Sequence, residues 1–369
     1  MEPRVRRAHL AGLSDRVYGV RVANTDLIDA LAADGALSID EFEQLLATYT
    51  AADRDHAASK AYRIARQQFG TSLTAWGVVS VSNVCTKECL YCGLRRSNEQ
   101  VERFRLSPED VVTAWAEGHR LGFRTVYLEG GDDPELTDES MEHVIWLVKK
   151  QFGDSTVTLE FGERTRGTYE RYFEAGGDAY VLRHESADAD HFASLHPRRM
   201  TLANRIRCLE DLKAVGFSTG CGMMIGSPFQ TPAHLARDLA FIADFDPASV
   251  SIGPFVPSAS TEFADQPAGS IDKTLFVLSL VRIMMPTVDL PVLTSVATVH
   301  PRGREMAVMA GANVVMPNLT PTVDRAKFAP YDHKIVSGAE AAEGFEILSR
   351  RMAAIGYSIG PTAPEPRHR

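Results

Sequence analysis

Residues 77–92 read GVVSVSNVCTKECLYC, a β-rich run that empties into Cys85, Cys89 and Cys92 at a C-x3-C-x2-C spacing. Valine and small residues in a short run describe a buried strand. A strand that opens directly into a loop of reactive side chains is the habit of parallel α/β folds, where chemistry collects beyond the carboxyl ends of strands. Three thiolates can hold three irons of a [4Fe–4S] cluster, which leaves the fourth iron open to a small molecule. An open position on a held metal marks a catalytic site rather than a structural one. The competing readings are structural zinc and three buried thiols. Structural zinc takes four ligands, usually as two separated C-x2-C knuckles, and the sequence has no second knuckle.

Working outward, the same texture recurs. The runs are TVYLEG (125–130), TVTLEFG (156–162), AYVLRHE (179–185), TGCGMMIG (219–226), SVSIGPF (249–255), PVLTSVA (291–297) and ANVVMPN (312–318). With the first run they number eight, and amphipathic helices fall between them. Ser107-Pro108, Thr137 and Thr231-Pro232 open helices, and Gly122 and Gly311 suit the positions that close them. Eight strand–helix repeats predict an α/β chain folded as a (β/α)8 TIM-type barrel; an open doubly wound sheet is the runner-up. Residues 1–75 are expected to be an N-terminal helical segment packing on the barrel, with Ser38 and Glu41 forming a capping box. The barrel is expected over 76–358 and a disordered tail over 359–369.

Of the 369 residues, 44% are hydrophobic and 24% charged, ordinary for a soluble enzyme with one large core. The net charge of −9 gives no general attraction to nucleic acid or an anionic membrane. Arg4, Arg6, Arg7, Arg16 and Arg21 are interrupted by Glu2 and Asp15 and read as a solvated face. There is no apolar run long enough to span a bilayer and no signal-peptide core. Five cysteines, mostly clustered, fit a reducing, cytoplasmic setting better than a disulfide framework.

The unusual residues collect at the predicted strand ends. Gly130-Gly131 would let backbone approach a ligand, against the plainer reading of a tight turn. Arg183 and Glu185 share a face of strand four by its period of two, so they pair with each other or serve a zwitterionic ligand. Arg205 is by default a surface arginine, and His184 points away from its neighbours as a packed histidine. Cys208 and Cys221 read as small buried apolar groups. Met223, Met224 and Met316 read as packing.

Taken together, SNVCTKECLYCGLRRSN, the GER after strand three, LRHES, the ANR at 203–205, SIGPFVP and PRGREMAVMAGANVVMPNLTP resemble the radical S-adenosylmethionine (SAM) enzymes. More closely, they resemble the family of the [FeFe]-hydrogenase maturase HydE, which sits beside methylornithine synthase and biotin synthase. The likeness runs from about residue 20 to about residue 335. It implies that Cys85, Cys89 and Cys92 hold one [4Fe–4S] cluster, with SAM on the open iron, and that one-electron reduction releases a 5′-deoxyadenosyl radical. It implies that Tyr91, Gly130, Gly131 and Asp132 border SAM and that Glu185 and Arg205 hold its polar groups. Arg183, Thr294, Met316 and Tyr331 are then assigned to the substrate cavity.

The same resemblance implies a small-molecule substrate, a one-electron donor of ferredoxin or flavodoxin type, and other maturation proteins as partners. Three departures bear on the substrate. Asp132 stands where relatives commonly carry Glu, Leu293-Thr294 replaces a pair of threonines, and no cysteines follow Tyr331 for an accessory cluster. The first reading is a HydE-type maturase acting on a cysteine- or thiol-derived precursor. The second is a related enzyme that rearranges a small amino-acid-derived metabolite. Sulfur insertion of the biotin-synthase kind is disfavoured, because strands two and three carry no cysteine for a second cluster. A non-catalytic iron–sulfur scaffold would need no SAM site.

Overall fold

The strand before the cysteines is longer than its valines suggest. In the computed structural model, which describes residues 22–360, β1 runs Ser72–Ser82, so the boundary expected at residue 75 falls inside it. The arginines at 4–21 lie outside the described residues, as do residues 361–369 of the expected tail. Three helices precede β1: α1 (Asn24–Asp34), α2 (Ile39–Thr48) and α3 (Ala51–Phe69). Ser38 and Glu41 form a capping box at α2, and Thr50 and Asp53 form another at α3. Each box satisfies backbone N–H groups that a helix start leaves unpaired.

After β1 come α4 (Pro108–Arg120), β2 (Thr125–Gly130), α5 (Asp138–Gln151), β3 (Thr156–Glu160), α6 (Arg166–Glu174) and β4 (Ala179–Val181). Then follow α7 (Ala189–Leu195), α8 (Leu202–Val215), β5 (Ser218–Ile225), α9 (Pro232–Phe245), β6 (Ser249–Pro254) and α10 (Ile271–Met284). The series continues through β7 (Pro291–Val292), α11 (Thr294–Val299), α12 (Gly303–Met309), β8 (Val314–Val315), α13 (Thr322–Arg325), α14 (Phe345–Ala353) and β9 (Ser358–Gly360). Strands β1 to β8 pair in parallel in chain order and β8 returns to β1, which closes the barrel. The expected (β/α)8 fold is therefore present, and Ser107, Thr137 and Thr231 cap the helices they were predicted to open. Against the barrel's outer helices, α3 and α1 pack on α10 and α2 packs on α9, and Leu27, Ile28, Phe42, Leu45, Ala57 and Ala61 of these three helices are fully buried.

Alternation along the strands sorts the core. Val79, Val81, Val126, Leu128, Val157 and Leu159 face the helices in one large cluster. Trp76, Val78, Tyr127, Val181, Val314 and Met316 fill the interior, where Trp76 stacks on Tyr127 with ring centroids 5.9 Å apart. The period of two sends Ser80, Glu129, Glu160 and Arg183 inward one layer higher. The interior is thus apolar below and polar above, beside the cysteine loop.

Three strands fall short of their expected runs by four residues or more. The run 179–185 is a strand only to Val181, and Glu185 takes φ 61° while its N–H reaches Gly222 O at 3.0 Å. The strict alternation assumed for Arg183 and Glu185 therefore fails at Glu185. The run 291–297 leaves the sheet after Val292, and Leu293 becomes the N-cap of α11, so Thr294 lies on a helix rather than at a strand tip. The last barrel strand ends at Val315, and Met316 lies just beyond it. A ninth strand went unpredicted: Ile359 and Gly360, placed with the tail by sequence, pair with Leu73 and Thr74 of β1.

Candidate active site

The loop from Asn83 to Phe104 has little regular structure, so side chains pay its backbone debt. Arg103 donates to the carbonyls of Asn83, Leu94, Arg95 and Asn98 at 2.6–3.1 Å. Asn83 ties Phe104 N–H and the carbonyls of Glu102 and Lys327 together. Buried Asp133 accepts from Ser82 Oγ at 2.6 Å and from Arg105 Nε at 2.7 Å, which fixes the loop's root. None of these residues carries chemistry, and each serves to hold the three cysteines in place.

Cys85, Cys89 and Cys92 come together, half-buried and free of disulfides. Burial and the neighbouring thiols push Cys89 well up and Cys92 up to about 12. Three thiolates in such a place need positive charge among them, which an iron cluster supplies. Among the described residues, no set of three His, Cys, Asp or Glu closes on a single metal ion. Ligands that each take a separate iron do not need to close in that way, whereas a mononuclear zinc does. The donor set therefore fits the cluster that the spacing implied.

Gly131 earns its place by packing. A Cβ there would lie 2.0 Å from Val84 O, and one on Gly130 would lie 2.8 Å from the Phe161 ring. At Gly131 the close approach is to the cysteine loop itself. That approach brings Asp132 N–H to 3.4 Å from Cys85 Sγ. The Asp132 carboxylate is taken up by Thr86 Oγ1 at 2.7 Å, Arg164 at 2.7 Å and Lys87 at 3.0 Å, and these partners hold its pKa down. Its side chain clamps the loop.

Tyr91 OH lies 3.2 Å from His196 Nε2, and His196 Nδ1 lies 2.8 Å from Phe192 O. A carbonyl only accepts, so Nδ1 carries the proton and Nε2 accepts from the tyrosine. Burial and the charge of Arg205 push His196 down to about 3, which keeps the ring neutral. Met200 Sδ sits 3.9 Å from Cys89 Sγ.

Arg205, by default a surface residue, is instead 93% buried at its side chain. Its Nε donates to Glu163 at 2.8 Å, Asn204 donates to the same carboxylate at 2.8 Å, and its Nη1 bonds Arg183 O. Arg183 Nε lies 3.2 Å from Glu185 Oε1, so these two are paired. Even so, Arg183 Nε and Glu185 Oε2 are buried and lack a hydrogen-bond partner among the described residues. Unmet polar atoms of both signs at one place suit a zwitterionic group.

A cavity of about 140 Å³ opens beside them, and Arg183, Thr294, Met316 and Tyr331 all line it. Sequence reading missed three further charged residues on its wall, Glu129, Glu160 and Lys334. Glu129 and Glu160 are register partners on β2 and β3. Glu129 accepts from Ser80 Oγ at 2.7 Å, and Glu160 accepts from Tyr127 OH at 2.7 Å. Burial and then the charge of Glu129 push Glu160 up to about 7. Burial lowers Lys334, whose Nζ donates to Phe328 O at 3.1 Å over that ring. The available signal was a carboxylate in an inward register of an otherwise apolar strand. Tyr331 is raised by burial and bonds Thr298. His184 is buried against Phe241, and Cys208 and Cys221 are buried away from the cavity.

Residues 79–242 match the family model of the radical SAM superfamily. The [FeFe] hydrogenase maturase subunit HydE of Thermotoga maritima is 39% identical over 74% of this chain and 77% of that protein. The 3-methylornithine synthase of Methanosarcina acetivorans is 22% identical over 89% of this chain and 91% of its own length. The crystal structure of methylornithine synthase superposes with a TM-score of 0.75 at 20% identity, covering 90% of this chain and 97% of that one.

Proposed function

The chain belongs to the radical SAM enzymes, in the branch that holds HydE, and from that premise we propose that it acts on a cysteine- or thiol-derived precursor during maturation of a di-iron hydrogenase centre. The observation that carries this reading is the 39% identity to HydE over 77% of that protein. A [4Fe–4S] cluster and SAM bound here would supply one-electron cleavage of SAM to methionine and a 5′-deoxyadenosyl radical.

The chain's own residues do the rest. Cys85, Cys89 and Cys92 would ligate the cluster, and Asp132 keeps their loop in register through Thr86, Lys87 and Arg164. The unmet Glu185 Oε2 would accept from the ammonium of SAM, and Arg183 and Arg205 place positive charge beside its carboxylate. Tyr91 is held edge-on to neutral His196 and gives SAM a fixed wall. Arg183, Thr294, Met316 and Tyr331 would then position the substrate in the cavity. The closed barrel keeps water and stray hydrogen donors from a reactive carbon radical.

A second reading, modification of a small amino-acid-derived metabolite, is favoured by the cavity's charges. Glu129 and Glu160 face Arg183 and Lys334 within one small volume, an arrangement that suits a zwitterion. Leu293 adds apolar surface to the same wall. The deciding experiment is anaerobic reconstitution with iron, sulfide, SAM and dithionite, followed by 5′-deoxyadenosine release with each candidate substrate. Stimulation by a cysteine-derived iron or thiol precursor supports the first reading. Stimulation only by diamino or other amino acids replaces it with the second.

A further inference from the structure

We propose that Glu129 and Glu160 determine specificity in the barrel cavity by holding a protonated amino group of the substrate between them. This rests on the assignment of that cavity to the substrate and deepens both readings above, since a cysteine-derived precursor and an amino-acid metabolite each carry an amine.

The two carboxylates share one place. Glu129 and Glu160 both line the cavity and are register partners on β2 and β3, and neighbouring strands lie roughly 5 Å apart. Each accepts a single hydrogen bond, and from a neutral hydroxyl: Ser80 Oγ donates to Glu129 Oε1 and Tyr127 OH to Glu160 Oε2, both at 2.7 Å. Glu129 Oε2 and Glu160 Oε1 accept nothing among the described residues. An ionised carboxylate has room for about four hydrogen bonds, so most of the pair's accepting capacity is unused.

Elsewhere this chain gives a buried carboxylate a guanidinium. Glu163 has Arg205, Glu340 has Arg304 and Asp133 has Arg105. Glu129 and Glu160 have no ion pair among the described residues. Of the two cations on the cavity wall, Arg183 pairs with Glu185 at 3.2 Å, and Lys334 donates to Phe328 O. Once Arg183 and Glu185 offset each other, two carboxylates face one lysine and a negative charge is left over. The same wall carries an independent sign of an absent occupant: Arg183 Nε is buried and lacks a hydrogen-bond partner among the described residues.

The surroundings say what meets that surplus. Trp76, Val78 and Met316 lie beneath as an apolar layer and supply no counter-charge. Burial and then the charge of Glu129 push Glu160 up to about 7, with Glu185 adding to the push and Arg183 and the Tyr127 hydroxyl opposing it. Lys334 and Tyr331 face Glu129 from the segment after β8. Near neutral pH the pair therefore shares about one proton. A primary ammonium brings three N–H donors and one positive charge, which answers the unused oxygens and the surplus charge together. As the amine enters, the proton on Glu160 leaves to solvent, so charge balances and no covalent bond of the substrate changes. A metal ion in the same place would lack ligands, because no third His, Cys, Asp or Glu joins the pair among the described residues.

The test is calorimetry on the anaerobically reconstituted enzyme with SAM and no reductant. The probes are S-methyl-L-cysteine and L-ornithine, each set against the acid without its amino groups, 3-(methylthio)propanoate and pentanoate. Titrations in two buffers of different ionisation enthalpy count the protons released. The amino compounds should bind roughly tenfold or more tighter than their acids. They should release a proton fraction that grows toward one near about pH 6 and fades by about pH 8, while the acids release none. Glu160→Gln should abolish the release and keep part of the amine preference through Glu129, and Glu129→Gln/Glu160→Gln should bring the preference to about one. Equal wild-type affinity for amine and acid, no binding of either amine, amine binding without proton release, or an undiminished preference in the double variant would overturn the assignment. Neither readout involves SAM cleavage. Failure of dithionite to drive 5′-deoxyadenosine release would therefore remove the radical SAM reading and leave the amine subsite to be judged by the titrations.

Discussion

The two halves of the barrel mouth are built on different physical terms. On the side of β1 to β4, several charged groups near the cysteines have their geometry set by one another. Asp133 is tied to Arg105, Asp132 to Arg164 and Lys87, and Glu163 to Arg205. On the side of β6 to β8, the cavity wall is Ser251, Leu293, Thr294, Ser295, Met316 and Asn318, uncharged up to Lys334 in the segment after β8, on strands that last only two residues at β7 and β8. Paired charges in a low-dielectric setting fix one geometry, because breaking a pair strands a buried charge. Short strands that give way at once to helices and loops can change one residue without disturbing the rest. The first half is suited to a chemistry shared across a superfamily, and the second to the choice of substrate.

The sharpest way to break this comparison is through the metal ligands. Alanine at Cys85, Cys89 or Cys92 should abolish the iron–sulfur chromophore and bring bound iron to background, while alanine at Cys208 or Cys221 leaves both intact. Retained cluster in any of the first three would remove the basis of the rigid half.

Next in size is Arg205→Ala. It leaves Glu163, 9% exposed at its side chain, without its cation, and should cost about 3–5 kcal/mol of unfolding free energy. Denaturant melts of the apoprotein read this directly, and SAM affinity should fall as well. By contrast Thr294→Val, in the other half, should leave stability nearly unchanged. If the two variants melt alike, the contrast between the halves is wrong.

The cavity-facing carboxylate of β3 should titrate in stability. Glu160 rises from 4.5 to about 7 on folding, so the folded state holds its proton more tightly than the unfolded chain. That contribution is fully present below pH 4.5 and fades as pH climbs to about 7. Glu160→Gln should flatten this stretch of the stability–pH curve. An unaltered slope would mean that Glu160 is ionised throughout and that the cavity is more strongly hydrated than its lining implies.

The smallest effect belongs to Leu293. It caps α11 without a side-chain hydrogen bond, so Leu293→Thr should add roughly 1 kcal/mol of helix-capping stability. Substrate-stimulated 5′-deoxyadenosine release should shift toward the hydrogenase-maturation precursor, with dithionite-driven SAM cleavage unchanged. Equal substrate profiles for the two proteins would show that residue 293 serves the helix alone.

The same divide governs what could be read in the sequence. The cysteine spacing and the first strand runs were legible because both are local: a loop motif and a run of β-formers need no knowledge of distant residues. The eight-strand count also came through, since caps such as Ser107 and Thr231 punctuate it. What failed needed tertiary knowledge. The run at 291–297 looks like a strand by composition, yet Leu293 turns it into a helix, and no local pattern separates the two. Arg205 looked like any helical surface arginine until Glu163, 42 residues away in sequence, was seen beside it. Glu129 and Glu160 were passed over because an acidic residue near a strand end reads as solvent-facing until the barrel closes over it.

The pairing of β1 has a consequence for how the molecule is made. Its lower half meets β8 and β9, and Ser80 N–H bonds Thr320 Oγ1 across 240 residues of sequence. A ribosome releases the cysteine loop early, whereas the strands that shut the barrel behind it emerge last. Such distant closure is slow, and until it happens Cys85, Cys89 and Cys92 hang on an unpaired edge, open to oxidants and stray metals. A cluster held by these thiols would therefore be secured only in the finished chain, once late residues such as Lys327, whose carbonyl accepts from Asn83, close on the loop.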